Sequence, residues 1–152
     1  MALTNRGEKL EEAIELFKSL TLDIQYDTPH LAWGNLGLAY LKSGKVDEAI
    51  DALRRATADQ PRFCVGHYRL GLAFEKKKQP ELAAESFTRA LEVVGPDNKP
   101  ACGTLQVAFE DRARVLTALQ RTDEARADLA RCRDLAPSTP SGQRCAAALA
   151  KP

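Results

Sequence analysis

Gly44-Lys45, the histidines His30 and His67, and the cysteines at 64, 102, 132 and 145 are the residues with chemical reach in this 152-residue chain. The glycine–lysine pair invites comparison with the phosphate loop G-x-x-x-x-G-K-[ST], whose backbone N–H groups cradle phosphate and whose hydroxyl holds magnesium. Here six residues separate Gly37 from Gly44, and Val46 supplies no hydroxyl after Lys45, so a nucleotide site is not expected. A catalytic or metal-bound histidine needs partners at set spacing. The chain has no G-x-S-x-G, no H-E-x-x-H and no paired C-x-x-C. His30 falls at a helix start and reads as exposed, whereas His67 falls at a packing position. Lys76-Lys77-Lys78 reads as a solvated turn, with its cations near the end of a helix where they are favoured. The expectation is a protein without catalysis, cofactor, metal or small-molecule ligand.

The elements around these residues repeat. Trp33, Leu36, Gly37 and Tyr40 match W-x-x-L-G-x-x-Y, and Ala49, Leu53 and Pro61 follow at the A-x-x-x-F and Pro positions, with Leu for Phe. This resembles the 34-residue tetratricopeptide helix-turn-helix repeat. Gly71 lies 34 residues after Gly37 and Ala83 lies 34 after Ala49, with Leu70, Phe74, Phe87 and Ala90 on schedule. A third copy, with Phe109, Ala113, Leu116, Ala125, Leu129, Cys132 and Pro137, comes 42 residues after the second, so eight residues have entered near GPDNKPACG. An earlier half-copy, Leu10 to Phe17, resembles a second helix without its first, which points to an upstream segment outside this stretch. Thr28-Pro29, Pro80-Glu81 and Thr122-Asp123-Glu124 supply helix starts. Helices are expected at 7–21, 29–42, 46–59, 62–77, 80–94, 103–119, 122–135 and 141–150.

The fold class expected is therefore all-α: a solenoid of antiparallel helix pairs wound into a right-handed superhelix. It forms one domain over 1–152, with a partial repeat at 5–27, repeats at 30–63, 64–97 and 106–139, an insertion at 98–105 and a capping helix at 140–152. Small residues at Gly37 and Ala49 let paired helices approach, and Tyr40, Leu53 and Phe87 fill the space between repeats.

Net charge is +1, which favours neither nucleic acid nor an anionic membrane as partner. No apolar run approaches the ~18 residues of a membrane span, and MALTNRGEKLEEA lacks the apolar core of a signal peptide. The cysteine spacings suit no common zinc module. Cys132 and Cys145 are nearly equidistant from the turn at Pro137–Thr139, so antiparallel helices would bring them face to face. Cys64 and Cys102 fall at corresponding ends of successive first helices. The pairs Cys64–Cys102 and Cys132–Cys145 are expected in an oxidising compartment; four reduced cysteines are the alternative in a cytoplasmic setting.

First helices of such repeats line a concave groove. Counting from His30 and Cys64, the groove-facing positions are Leu31, Asn35, Leu38 and Leu41, then Val65, Tyr68, Arg69 and Leu72, with Gly34 and Glu75 beside them. Contiguous exposed apolar surface marks a partner site, and an amphipathic helix or apolar strand is the expected guest. Asn35 and Arg69 would suit a clamp on a C-terminal carboxylate, but Val65 stands where that clamp needs lysine.

The segment SLTLDIQYDTPHLAWGNLGLAYLKSGKVDEAI carries a narrower resemblance. Leu22-Asp23, Tyr26, Pro29 and Asn35-Leu36-Gly37-Leu38 resemble the link and N-L-G-L helix of the PilF/PilW/Tgl group of type IV pilus biogenesis proteins, most of all the Tgl branch, which the paired cysteines also resemble. The resemblance implies an outer-membrane lipoprotein facing the periplasm, a pilotin that binds subunits of the secretin and promotes their multimerisation. Membrane attachment is implied through an N-terminal lipid anchor that this stretch does not carry. A generic cytoplasmic tetratricopeptide adaptor or co-chaperone scaffold is the alternative.

Overall fold

The computed structural model describes residues 2–103 and 105–152, with side chains from Arg6 onward. Thr104, inside the expected 98–105 insertion, lies outside the described residues. Eight helices follow one another among them: α1 (Ala2–Leu22), α2 (Pro29–Lys42), α3 (Val46–Asp59), α4 (Cys64–Lys76), α5 (Pro80–Glu92), α6 (Gln106–Ala118), α7 (Thr122–Leu135) and α8 (Pro140–Leu149). Each packs against its neighbours in the chain, so the helices stack in chain order. Four expected boundaries move by two residues or more: α1 begins at 2 rather than 7, α4 at 64 rather than 62 and α6 at 106 rather than 103, and α5 stops at 92 rather than 94.

Packing follows from side-chain size. A Cβ added to Gly37 would meet Leu53 Cγ at 2.5 Å, and one added to Gly71 would meet the Phe87 ring at 2.6 Å. The bare backbone of each first helix thus lies on the large side chain of its second helix. Leu53 and Phe87 are fully buried, as are Ala49, Ala56, Ala83 and Ala90 around them. One core runs from Leu41 in α2 to Ala125 in α7, and a second cluster of Ile14, Leu36, Ala39 and Ala52 joins α1 to α2 and α3.

Three turns close the helix pairs with the same geometry. Gly44, Lys78 and Gln120 sit at equivalent places with φ of 78°, 61° and 60°. The next residue's N–H reaches back in each case: Lys45 to Tyr40, Gln79 to Phe74 and Arg121 to Leu116, all at 2.9 Å. This is a helix C-terminal motif in which a left-handed residue satisfies carbonyls the helix leaves open. Glycine takes that conformation without a Cβ penalty, which the other two residues must bear.

The extra residues between α5 and α6 fold into a tight turn. Gly95 N–H donates to Lys99 O at 2.7 Å and Ala101 N–H to Val93 O at 2.6 Å. Arg62 Nε donates to Val94 O at 3.0 Å, and Cys102 is disulfide-bonded to Cys64 at the start of α4. At the other end of the stack Cys132 in α7 is bonded to Cys145 in α8, with Cα atoms 6.1 Å apart and both residues fully buried.

Candidate partner-binding groove

The groove positions come from the first helices α2, α4 and α6. On α2, Leu31 is 38% exposed, and Asn35 and Leu38 are half-buried. Leu41 corrects the expectation. It is 4% exposed and belongs to the core, because its side chain packs between α3 and α4 with Ile50, Leu70 and Phe74. On α4, Val65, Tyr68, Arg69 and Leu72 are half-buried, and Tyr68 and Leu72 rest on the core.

Two of these side chains reach across the groove. Arg69 Nη1 donates to Gly34 O at 2.9 Å and to Asn35 Oδ1 at 3.2 Å, tying α4 to α2. Burial lowers the guanidinium's pKa, and no carboxylate among the described residues lies within ion-pair distance of it. Tyr68 OH donates to Asp111 Oδ2 at 2.6 Å, tying α4 to α6. Burial and then that hydrogen bond raise the phenol's pKa. The face is therefore less oily than the sequence led one to expect: an apolar row remains at Leu31, Leu38, Val65 and Leu72, interrupted by Arg69.

Beyond Tyr68 the surface becomes charged. Arg114 donates to Glu75 from Nε and Nη2, each at 2.8 Å, and reaches Asp111 at 2.8 Å, and the hydrogen bonds it donates to Glu75 raise its pKa. Glu110 accepts from Arg144 of α8 at 2.5 Å and from Ser141. Counting groove positions over two repeats takes in Glu75 but misses Glu110, Asp111 and Arg114. The 42-residue offset would have found them, since Val65, Tyr68, Arg69 and Leu72 plus 42 give Val107, Glu110, Asp111 and Arg114. Val107, 37% exposed, extends the apolar row.

The histidines are settled by their surroundings. His67 is buried and its Nε2 lies 2.9 Å from Pro61 O. His30, expected exposed, is half-buried instead, with its ring edge on Phe63 at 5.1 Å and Nδ1 3.6 Å from Asp59. Lys77 of the lysine run pairs with Asp47 at 2.6 Å. Oxygen and sulfur atoms of Glu110, Cys132 and Cys145 gather within 4.8 Å, but each sulfur is bonded to the other and is no thiolate ligand. Chemically the groove offers apolar contact and fixed hydrogen-bonding groups, the means by which a concave helical stack docks a polypeptide.

Among the described residues no helix is long and apolar enough to cross a membrane. Residues 35–100 match the tetratricopeptide repeat family. The chain is 36% identical over 80 residues to the chloroplastic tetratricopeptide repeat domain-containing protein PYG7 of Arabidopsis thaliana, covering 53% of this chain and 26% of that protein. It is 33% identical over 72 residues to the type IV pilus assembly protein PilF of Pseudomonas aeruginosa, covering 47% of this chain and 29% of PilF. The chain thus spans less than a third of the length of these relatives. The crystal structure of PilW, a type IV pilus biogenesis factor, superimposes with a TM-score of 0.73 at 22% identity, over 93% of this chain and 61% of PilW. Repeat sequence, helix-pair stacking and these likenesses together make the fold that of a tetratricopeptide-repeat protein.

Proposed function

We propose that this chain is a protein-binding scaffold of type IV pilus biogenesis, a pilotin whose first-helix groove binds secretin subunits and promotes their assembly into the outer-membrane multimer. The observation that carries the reading is the 33% identity to PilF over 72 residues. The groove supplies the physical means. Leu31, Leu38, Val65 and Leu72 form a row on which an apolar secretin segment can be shielded from water until subunits meet. Burial of such contacts gives roughly 25 cal/mol per Å² before the costs of ordering. Arg69 and the Glu75–Arg114–Asp111 group fix the register of that segment through hydrogen bonds, and no catalysis is involved. Kinship to the Tgl branch, a location at the periplasmic face of the outer membrane, and attachment through an upstream lipid anchor are parts of the same proposal. Disulfides suit an oxidising compartment.

Deleting the gene in its own bacterium should abolish heat-stable secretin multimers, and restoring the wild-type gene should return them. Replacing Leu31 and Val65 together by Glu should weaken secretin binding about tenfold or more while the helical circular dichroism stays the same. Multimers that persist in the deletion strain would remove the pilotin reading; undiminished binding by the double variant would move the site off this groove.

A further inference from the structure

Glu110, Cys132 and Cys145 come from three different helices, α6, α7 and α8, and their ligand atoms lie within 4.8 Å of one another. Both cysteines are 0% exposed, and their Cα atoms are 6.1 Å apart. Beside them a cavity of about 290 Å³ opens between the same three helices, bordered by Glu110, Leu129, Arg144 and Cys145 among others. The Glu110 carboxylate is held in place from two sides. Arg144 donates to it from Nε at 2.5 Å and from Nη2 at 3.0 Å, and the Ser141 hydroxyl donates to it as well. Ser141 Oγ also lies 3.8 Å from Cys132 Sγ.

While the sulfurs are bonded to each other, neither can hold a cation. A dithiol reductant removes that bond by exchange. Two electrons and two protons pass to the cysteines, the bond between their sulfurs breaks, and the reductant leaves as a disulfide. Two thiols and a carboxylate then face one spot. Sulfur and oxygen ligands in a tetrahedron suit zinc, with Zn–S at about 2.3 Å, which sets two sulfurs about 3.8 Å apart. Rotation of the two side chains reaches that separation without moving helices whose Cα atoms stand 6.1 Å apart at this place.

We propose that the reduced chain binds one Zn²⁺ ion between Cys132, Cys145 and Glu110, with water from the cavity in the fourth place, and that the ion takes over from the disulfide in holding α8 on α7. Each thiol gives its proton to solvent as its sulfur meets the metal. The charges then balance, since two thiolates and the Glu110 carboxylate oppose the ion's two charges and the Arg144 guanidinium. Hydrogen bonds such as those from Arg144 and Ser141 orient a ligating carboxylate and raise its affinity for the metal. The ligands are drawn from three helices, so no local spacing of cysteines announces them. This site stands apart from the secretin reading and does not rest on it.

The double variant Cys64→Ser, Cys102→Ser leaves this pair as the only cysteines. After reduction, and removal of the reductant without air, Co²⁺ serves as the probe. It should bind one to one, giving thiolate-to-cobalt charge-transfer absorption and the intense visible bands of a tetrahedral ion. One equivalent of Zn²⁺ should bleach both, and the oxidised chain should give neither. Adding Glu110→Gln should weaken binding about tenfold or more. Amide exchange in α8 of the reduced chain should slow again when Zn²⁺ is added. Absent bands, bands indifferent to Glu110→Gln, or α8 exchange that Zn²⁺ leaves unchanged overturn the proposal. Should the serine variant fail to fold, the reduced wild type takes its place with Cys132→Ser as reference. The wild type should then bind one ion more, and equal binding by the two overturns the site.

Discussion

At Gly71 an added methyl group meets the Phe87 ring from above at 2.6 Å. Phe87 is fully enclosed and has no free side toward which to turn. Gly71→Ala should therefore lower unfolding free energy by about 1–3 kcal/mol in urea titration, as overpacking does. The helix propensity gained, roughly 1 kcal/mol, acts against that loss. An unchanged midpoint would mean that α4 and α5 slide apart freely. Both glycines were legible in the sequence because their spacing repeats and their size has one evident use. Leu41 was not: its place in the repeat matched a groove position, and only the approach of Ile50, Leu70 and Phe74 from α3 and α4 puts it in the core. Arg112 and Asp128 were equally hidden. They form a two-pronged pair at 2.7 Å, with Asp128 5% exposed, and Arg112 stands at the place in its repeat that Leu36 and Leu70 hold in theirs.

Between elements, charge and turn chemistry decide how α8 is held. Thr139 caps it, its hydroxyl oxygen accepting from Gly142 N–H at 3.0 Å. Glu110 of α6 reaches across to Arg144 and Ser141, and the Arg144 hydrogen bonds, with Ser141 adding, hold its carboxyl below the ordinary value of 4.5. A carboxylate with a depressed folded-state pKa stabilises the fold fully above its unfolded value, and that contribution is lost as pH falls through the folded one. The difference in urea midpoint between wild type and Glu110→Gln should thus be present at pH 7 and shrink steadily below about pH 4.5. A difference independent of pH would make the contact a packing effect. The three pair-closing turns show how far local sequence carried the elements. Gly44 announced its turn, while Lys78 and Gln120 adopt the same left-handed geometry with no glycine to mark it; the helix pairs on either side impose it.

Over the whole molecule, stability is a sum of neighbouring contacts, and the ends have fewer of them. α4 and α5, covered on both sides, should exchange their amide hydrogens slowest, and α1 fastest. α8 is also an end, but Cys132–Cys145 ties it down. Reducing that bond should speed exchange in α8 by about tenfold or more while α4 and α5 change little. Uniform acceleration along the chain would mean that it unfolds as a single unit. The sequence by itself determined the helix order, the pairing of neighbours and the glycine-against-large packing, because each depends on residues within one repeat length and recurs with its period. The tertiary structure alone decided how much of the groove is open, and that Arg69 ties α4 to α2 and Tyr68 ties α4 to α6. Those features depend on where side chains from different repeats meet, which the order of residues along one helix does not specify.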